Sequence, residues 1–154
     1  MAVSASRYPP TFTFDAAAQL QDAGAVTSAA AGTRILDLGP GTGFRCGMIV
    51  IDISAMDITS TDEIYDIIVQ GSASSTFATA GGIVELATLS VGAKGPKRSD
   101  SDRDDAVGRR HLMYCNVDET GTSYRYLRLY IAVGASTTPS INFTAFNVPI
   151  PQVA

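Results

Sequence analysis

Within the segment Arg125–Gly134, the sequence from Tyr126 onward alternates without interruption between aliphatic residues and residues that are aromatic, charged or small. A period of two predicts a β-strand with one face on an apolar core. The predicted core face carries Leu127, Leu129, Ile131 and Val133, and the opposite face carries Tyr124, Tyr126, Arg128 and Tyr130. Tyrosine and arginine are enriched in protein interfaces, so we expect this outer face to lie against another protein surface.

Further alternating or β-branched segments recur at the spacing of a β-sandwich, with turn residues between them. The predicted strands are residues 34–38, 48–54, 64–70, 83–90, 110–117, 125–134 and 141–148. Asp118–Gly121 predicts a hairpin turn, and the strand at 141–148 is expected to pair with 125–134 across the turn at 137–140. The pattern predicts an all-β, single-domain antiparallel β-sandwich or jelly roll.

Residues 1–14 predict an extended N-terminal arm, and residues 15–154 predict the globular domain. Tyr8-Pro9-Pro10 cannot continue a helix, and Phe12 and Phe14 alternate with threonines. Such an arm packs on its own domain or reaches a neighbouring molecule. The alanine-rich stretch 15–31 leaves two interpretations open, because its first half favours a helix and its second half favours an extended chain.

The composition narrows the classes of function. Charged residues make up 17% of the 154 residues, below the usual value of about 25%. A low fraction of charged residues fits a protein whose surface is covered by partners, and it fits a compact β domain equally well. The net charge of −4 argues against nucleic-acid binding. The sequence shows neither an apolar run of about 18 residues nor a leader pattern, so we expect no membrane span and synthesis in a cytoplasm.

The residues that bind metals or perform catalysis are sparse. Cys46 and Cys115 lie in apolar, strand-like segments, where we expect free cysteines that behave as small buried hydrophobes. One histidine, His111, and two cysteines cannot form a usual zinc site. We therefore predict no metal, no cofactor and no catalytic residue, with a structural role for His111.

Residues 94–110 predict a long solvated loop, since they hold six of the eleven lysines and arginines and four aspartates. Asp100, Asp102 and Asp104 have the spacing of the first three ligands in a calcium loop. Asp105 stands where such a loop needs glycine, and His111 stands where it needs glutamate. A salt-bridged loop is the better interpretation.

The segment from Ile35 to Gly43 resembles the glycine-rich turn of S-adenosylmethionine-dependent methyltransferases, and Asp52 imitates their ribose-binding acid. The spacing opposes this interpretation. Asp52 follows Gly43 by only nine residues, whereas that fold needs a helix and a second strand between them, about 20 residues. We expect a strand followed by a glycine turn.

The order of these landmarks resembles the jelly-roll capsid cement (decoration) proteins of tailed bacteriophages, as in a Bordetella phage. The landmarks are the alanine-rich lead at 18–30, the strand Ile35-Leu36-Asp37-Leu38-Gly39, the strand at 126–134 and the strand at 141–146. The charged loop and the aromatic arm depart from the pattern of that family.

The resemblance implies a non-enzymatic virion protein that is assembled in the host cytoplasm and bound to the capsid exterior. Its partners would be the major capsid protein, across seams between subunits, and further copies of itself in a homo-oligomer, a dimer or trimer. It also implies an extended alanine-rich lead. We expect the contacts to use Tyr8, Phe12, Phe14, Tyr124, Tyr126 and Tyr130. The alternative is a carbohydrate- or receptor-binding jelly roll, which the absence of tryptophan disfavours.

Overall fold

The computed structural model describes residues 16–78, 82–93, 107–134 and 138–149, with the backbone alone for Pro149. The predicted arm at 1–14 and positions 94–106 of the predicted charged loop lie outside the described residues. The three aspartates with calcium-loop spacing lie there as well.

The described chain is built almost entirely from β-strands. A short 3-10 turn, Ala16–Ala18, precedes the first of them. The strands are β1 Gln19–Gln21, β2 Ala25–Val26, β3 Ala30–Asp37, β4 Cys46–Met56, β5 Ile64–Ser72, β6 Ile83–Gly92, β7 Gly108–Cys115, β8 Tyr126–Gly134 and β9 Ile141–Pro149.

The strands form two antiparallel sheets. Sheet A has the order β1-β9-β4-β7, with β2 also paired to β9, and sheet B has the order β3-β8-β5-β6. Strands from the two halves of the chain pair in a nested way: β5 with β6, β4 with β7, β3 with β8, and β1 with β9. A long antiparallel ribbon wrapped into two facing sheets is a jelly roll. The prediction of a single-domain, all-β antiparallel sandwich of jelly-roll type is confirmed for the described residues.

The core lies between the sheets and follows the alternation in the sequence. The predicted inward residues of β8, Leu127, Leu129 and Ile131, are fully buried, and Val133 packs against the core. From sheet A the core receives Ile49, Ile51, Ile53, Leu112, Tyr114, Ile141, Phe143 and Ala145. Burial of these aliphatic and aromatic side chains is the main force that holds the sheets together.

A buried tyrosine fixes the position of one sheet relative to the other. Tyr65 lies on β5 of sheet B, and its hydroxyl donates a hydrogen bond to the carbonyl of Asp57 at 2.7 Å. The same hydroxyl accepts a hydrogen bond from the backbone N–H of Ser140 at 3.0 Å, directly before β9 of sheet A. Burial raises the pKa of Tyr65. This side chain therefore ties sheet B to the chain segments that enter and leave sheet A.

The alanine-rich lead is extended, as the resemblance implied and against its local helix propensity. After the short 3-10 turn it forms β1, β2 and the start of β3. Leu20 is fully buried in the core, and Asp22 receives a hydrogen bond from Arg34 at 3.1 Å. Pairing with β9 and β8 overrides the weak preference of alanine for a helix.

The expectation of free cysteines was wrong. Cys46 on β4 and Cys115 on β7 lie directly opposite each other and form a disulfide bond. The two residues are separated by 69 positions in the sequence, so the bond depends on the register of two distant strands.

The expected pairing of the last two strands was also wrong. β8 belongs to sheet B and β9 to sheet A, so the turn before Ile141 crosses between the sheets. The turn at Asp118–Gly121 does form, with Gly121 N–H donating to the Asp118 carbonyl at 3.0 Å, and Val117 forms an isolated bridge with Ser123. The strands on either side, β7 and β8, nevertheless enter different sheets.

Candidate interaction surface

The outer face of sheet B presents a compact group of aromatic, aliphatic and arginine side chains. We use "outer face of sheet B" for the group Ile35, Ile68, Gln70, Tyr126, Arg128 and Tyr130. Strand β8 lies between β3 and β5, so its outward residues occupy the middle of this face. Arg128 lies opposite both Ile35 and Gln70 in register. Tyr130, two residues further along β8, lies opposite Ile68.

Arg128 is held in one position by two neighbours. Its Nε donates a hydrogen bond to Oε1 of Gln70 at 2.9 Å, and its guanidinium lies 4.4 Å from the ring centroid of Phe77. Phe77 is itself buried and follows β5. A cation held against an aromatic ring loses little freedom when a partner binds, so this arginine is preorganised for contact.

A second arginine, Arg125, contacts residues at the edge of the outer face of sheet B. Arg125 donates two hydrogen bonds of 2.6 Å to the carboxylate of Asp37, and its guanidinium lies 4.9 Å from the ring centroid of Tyr126. The hydrogen bonds from Arg125, with another from the backbone N–H of Gly39, lower the pKa of Asp37 to about 2. The charges of Arg125 and Asp37 neutralise each other. Tyr126 therefore lies beside an ion pair that carries no net charge.

The composition of this face matches the centre of a protein interface. Ile35 is 47% exposed, and it adjoins Arg128 across the sheet. Tyr126, Arg128 and Tyr130 are half-buried, so each combines packing against the sheet with exposed surface. Aromatic residues and arginine with few uncompensated charges are what interface cores prefer.

The predicted tyrosines separate into two groups. The structure brings Tyr126 and Tyr130 together on the outer face of sheet B. Tyr124 precedes β8 and is only 8% exposed, with its hydroxyl donating a hydrogen bond to Asp118 at 2.7 Å. Hydrogen bonds from Tyr124, Thr120 and the backbone lower the pKa of Asp118 to about 2. Tyr124 therefore supports the Asp118 turn instead of contributing to an outer surface.

The remaining predicted contact residues, Tyr8, Phe12 and Phe14, lie outside the described residues. The structure adds three residues to the face that the sequence did not single out, Ile35, Ile68 and Gln70, and it places the Phe77 ring against Arg128. The outward position of Ile35 follows from the alternation of β3. Phe77 lies in a connection, where no periodicity reports on burial.

The segments that resembled enzyme motifs have structural roles here. Asp37 and Asp52 lie on strands of different sheets, β3 and β4. The glycine turn between them contains Gly39 and Gly41 with positive φ angles of 95° and 68°, and Asp37 accepts the hydrogen bond from Gly39 N–H. Asp52 accepts two hydrogen bonds from Arg109, at 2.7 and 2.8 Å. Both carboxylates are thus engaged by arginines.

His111 lies on β7 opposite Val50 and is exposed. Within the described ranges, no group of three or more histidine, cysteine, aspartate or glutamate residues is placed to hold a metal ion. The same ranges contain no helix with the length and apolar character needed to span a membrane.

No protein-family model matches the sequence, and its comparison with curated proteins finds no match.

Proposed function

We propose that this protein is a non-enzymatic decoration (cement) protein of a phage capsid. It binds the outside of the major capsid protein shell across subunit seams, as a homo-oligomer, after assembly in the host cytoplasm. The observation that supports the proposal is the preorganised outer face of sheet B, where Arg128 lies between Tyr126 and Tyr130. The order of the sequence landmarks, on which the resemblance to cement proteins rests, supports it further.

The physical mechanism is stabilisation through many modest contacts. A standard protein interface buries about 1,600 Å² in total, about 800 Å² from each partner. When an oligomer contacts two or three capsid subunits, each later contact is effectively intramolecular, which raises the avidity by about 10²–10⁴. A ligand that binds only the assembled shell shifts the equilibrium toward that shell, so the decorated head resists heat and denaturant better.

The test is binding of the purified protein to expanded heads of the phage that encodes it, with the natural decoration protein removed. We expect cosedimentation of the wild type, and a loss of affinity of at least about tenfold when Tyr126 and Tyr130 are both replaced by alanine. Met113→Ala is the matched control, because Met113 is a large exposed residue on the outside of sheet A. This control is expected to bind like the wild type.

Two results would contradict the proposal at different levels. Wild-type protein that ignores the heads would refute the decoration function. If binding survives the double tyrosine substitution but is lost in Met113→Ala, the decoration function is retained and the contact lies on sheet A.

A carbohydrate-binding module is the second candidate, favoured by the position of Tyr126 beside the Asp37 carboxylate. Sugar-binding sites pair an aromatic ring with hydrogen-bonding groups. Here, however, Arg125 lies over the Tyr126 ring and takes both carboxylate oxygens of Asp37. Glycan-array binding without affinity for heads would establish this candidate in place of decoration.

A further inference from the structure

The outer face of sheet A contains two side chains that are buried although they point away from the core. Ile49 and Ile51 of β4 point into the sandwich, so Val50 between them points outward. Phe146 of β9 lies directly opposite Val50 and also points outward. Their exposures are 0% for Val50 and 4% for Phe146. Sheet B lies on the inner side of sheet A and cannot provide this cover.

The N-terminal part of the chain begins beside these two residues. Gln19 of β1 lies opposite Phe146, and the 3-10 turn Ala16–Ala18 contacts β9. The 15 residues that precede Ala16 span at most about 50 Å when extended. The three strand spacings from β1 to β7 amount to only about 15 Å. The arm therefore starts at the right edge and has ample length to cross the face.

The chemistry of the arm matches the face. Phe12 and Phe14 alternate with threonines, so an extended chain directs both rings to the same side. Apolar surface around the covered pair is supplied by Met48 and Val148, which are opposite each other in register and half-buried. Methionine sulfur makes favourable contacts with aromatic rings.

The size of the patch argues for a tethered segment as its occupant. A stable interface between two proteins takes about 800 Å² from each partner and 20–30 residues a side. The apolar group of Val50, Phe146, Met48 and Val148 is much smaller than that. Met113, on the neighbouring edge strand β7, is 64% exposed, which limits the covered area to the middle of the sheet. A tethered segment needs less contact area because its effective concentration is high.

We propose that the N-terminal arm of the same chain docks on the outer face of sheet A, with Phe12 and Phe14 against Val50 and Phe146. In this arrangement the arm forms a third layer on one side of the jelly roll. The two phenylalanines then stabilise the domain and are not capsid contacts. The proposal does not depend on what the outer face of sheet B binds.

The test uses the full chain with ¹³C-labelled valine methyl groups. We expect nuclear Overhauser contacts between the Val50 methyls and the rings of Phe12 or Phe14. Replacing both phenylalanines by alanine should remove these contacts, shift the Val50 and Phe146 resonances, and lower the unfolding midpoint by roughly 4 °C or more. The matched control replaces Thr11 and Thr13 by alanine in the same arm and should keep the contacts.

The proposal is overturned if Val50 shows no contact with either ring and its resonances do not respond to the phenylalanine substitutions. A mixture of valine-labelled and phenylalanine-labelled chains identifies which copy supplies the arm. Contacts found between the two labels in that mixture would overturn docking within one chain and establish arm exchange between copies.

Discussion

The two outer faces of this jelly roll use the same strand alternation for different purposes. On sheet B, the outward residues Tyr126, Arg128 and Tyr130 are half-buried and remain partly accessible. On sheet A, the outward residues Val50 and Phe146 are as buried as the core. Two outward residues of sheet B, Ile68 and Gln70, are also buried, at 8% and 7% exposure, but Val50 on sheet A is fully covered at 0%. The proposed docking of the N-terminal arm accounts for that cover.

The contrast fits a division of the surface between stability, on sheet A, and the binding that we propose for sheet B. Arg128 on sheet B is fixed by Gln70 and Phe77 without losing its exposed surface. Covered apolar residues on sheet A add to the buried area, which benefits folding and leaves less of that face for a partner.

Removal of the disulfide is expected to have the largest effect on stability. Cys46 and Cys115 close a loop of 69 residues, and the chain-entropy model gives about 4 kcal/mol for a loop of this length. We expect urea denaturation of the Cys46→Ser, Cys115→Ser double variant to show a loss of that order. Because the bond lies in sheet A, binding to heads through sheet B should be unchanged below the unfolding temperature.

Reduction of the wild-type protein by dithiothreitol serves as the control and should reproduce the stability of the double variant. Equal stability of oxidised and reduced protein would show that the disulfide bond does not stabilise sheet A.

A direct comparison of the two faces comes from one truncation on each. Phe146→Ala on sheet A removes a buried ring and should destabilise the domain by about 3 kcal/mol or more. Tyr130→Ala on sheet B removes a half-exposed ring and should cost no more than about 1 kcal/mol. The free energy of unfolding from urea titration measures both. Similar losses in the two variants would remove the distinction between the faces.

The order of the outer face of sheet B can be tested through Phe77. Phe77→Leu keeps an apolar side chain at a buried position and removes the ring beneath Arg128. A cation–π contact of this kind contributes about 0.5–1 kcal/mol at partly exposed sites. We expect a stability loss near that size, and weaker binding to heads because Arg128 is no longer held in place.

Arg128→Ala provides the reference for this substitution. If Phe77→Leu lowers the affinity for heads in the wild type but not in an Arg128→Ala background, the ring acts through the arginine. An equal loss in both backgrounds would show that Phe77 contributes by another route.

The alternation in the sequence located β3 to β9 to within four residues and gave the inner face, but it missed β1, β2 and the long-range pairing. β7 begins at Gly108, so the predicted charged loop at 94–110 ends earlier than expected. The position of Leu127, Leu129 and Ile131 in the core follows from a period of two. The disulfide does not, because it requires Cys46 and Cys115 to meet through the register of two strands far apart in the chain. For the same reason, the turn before Ile141 gave no indication that the chain changes sheets there.

The candidate surface was predictable where it lies on a strand and not where it depends on connections. Tyr126 and Tyr130 lie at the outward positions that the alternation of β8 predicts. Tyr124 continues that alternation in the sequence, but it precedes the strand, where its hydroxyl binds the Asp118 turn. Phe77 reaches Arg128 from a connection, and the conformation of such a segment is set by tertiary contacts that periodicity does not describe.

Acid should affect the ion pairs of both faces in the same direction, with the smallest effect of the series. Arg109 lowers the pKa of Asp52 on sheet A, and Arg125 lowers the pKa of Asp37 on sheet B to about 2. A carboxylate with a lower pKa in the folded state stabilises the fold above its unfolded pKa of about 3.9. That contribution is lost as the pH falls toward the folded pKa. Because both pairs are largely exposed, the loss is small and is reduced further by salt.

The measurement is the free energy of unfolding of Asp37→Asn and Asp52→Asn relative to the wild type, between about pH 6 and pH 2. Each variant lacks one titrating pair, so its deficit should be largest near pH 6 and should shrink as the wild-type carboxylate becomes protonated. A deficit that stays constant down to pH 2 would mean that the side chain acts through geometry and not through charge. Such a result at Asp37 alone is informative, because its carboxylate also accepts the Gly39 N–H of the glycine turn. An asparagine carbonyl can replace that acceptor but cannot pair with Arg125, so the pH dependence separates the role of Asp37 in the turn from its role beside the outer face of sheet B.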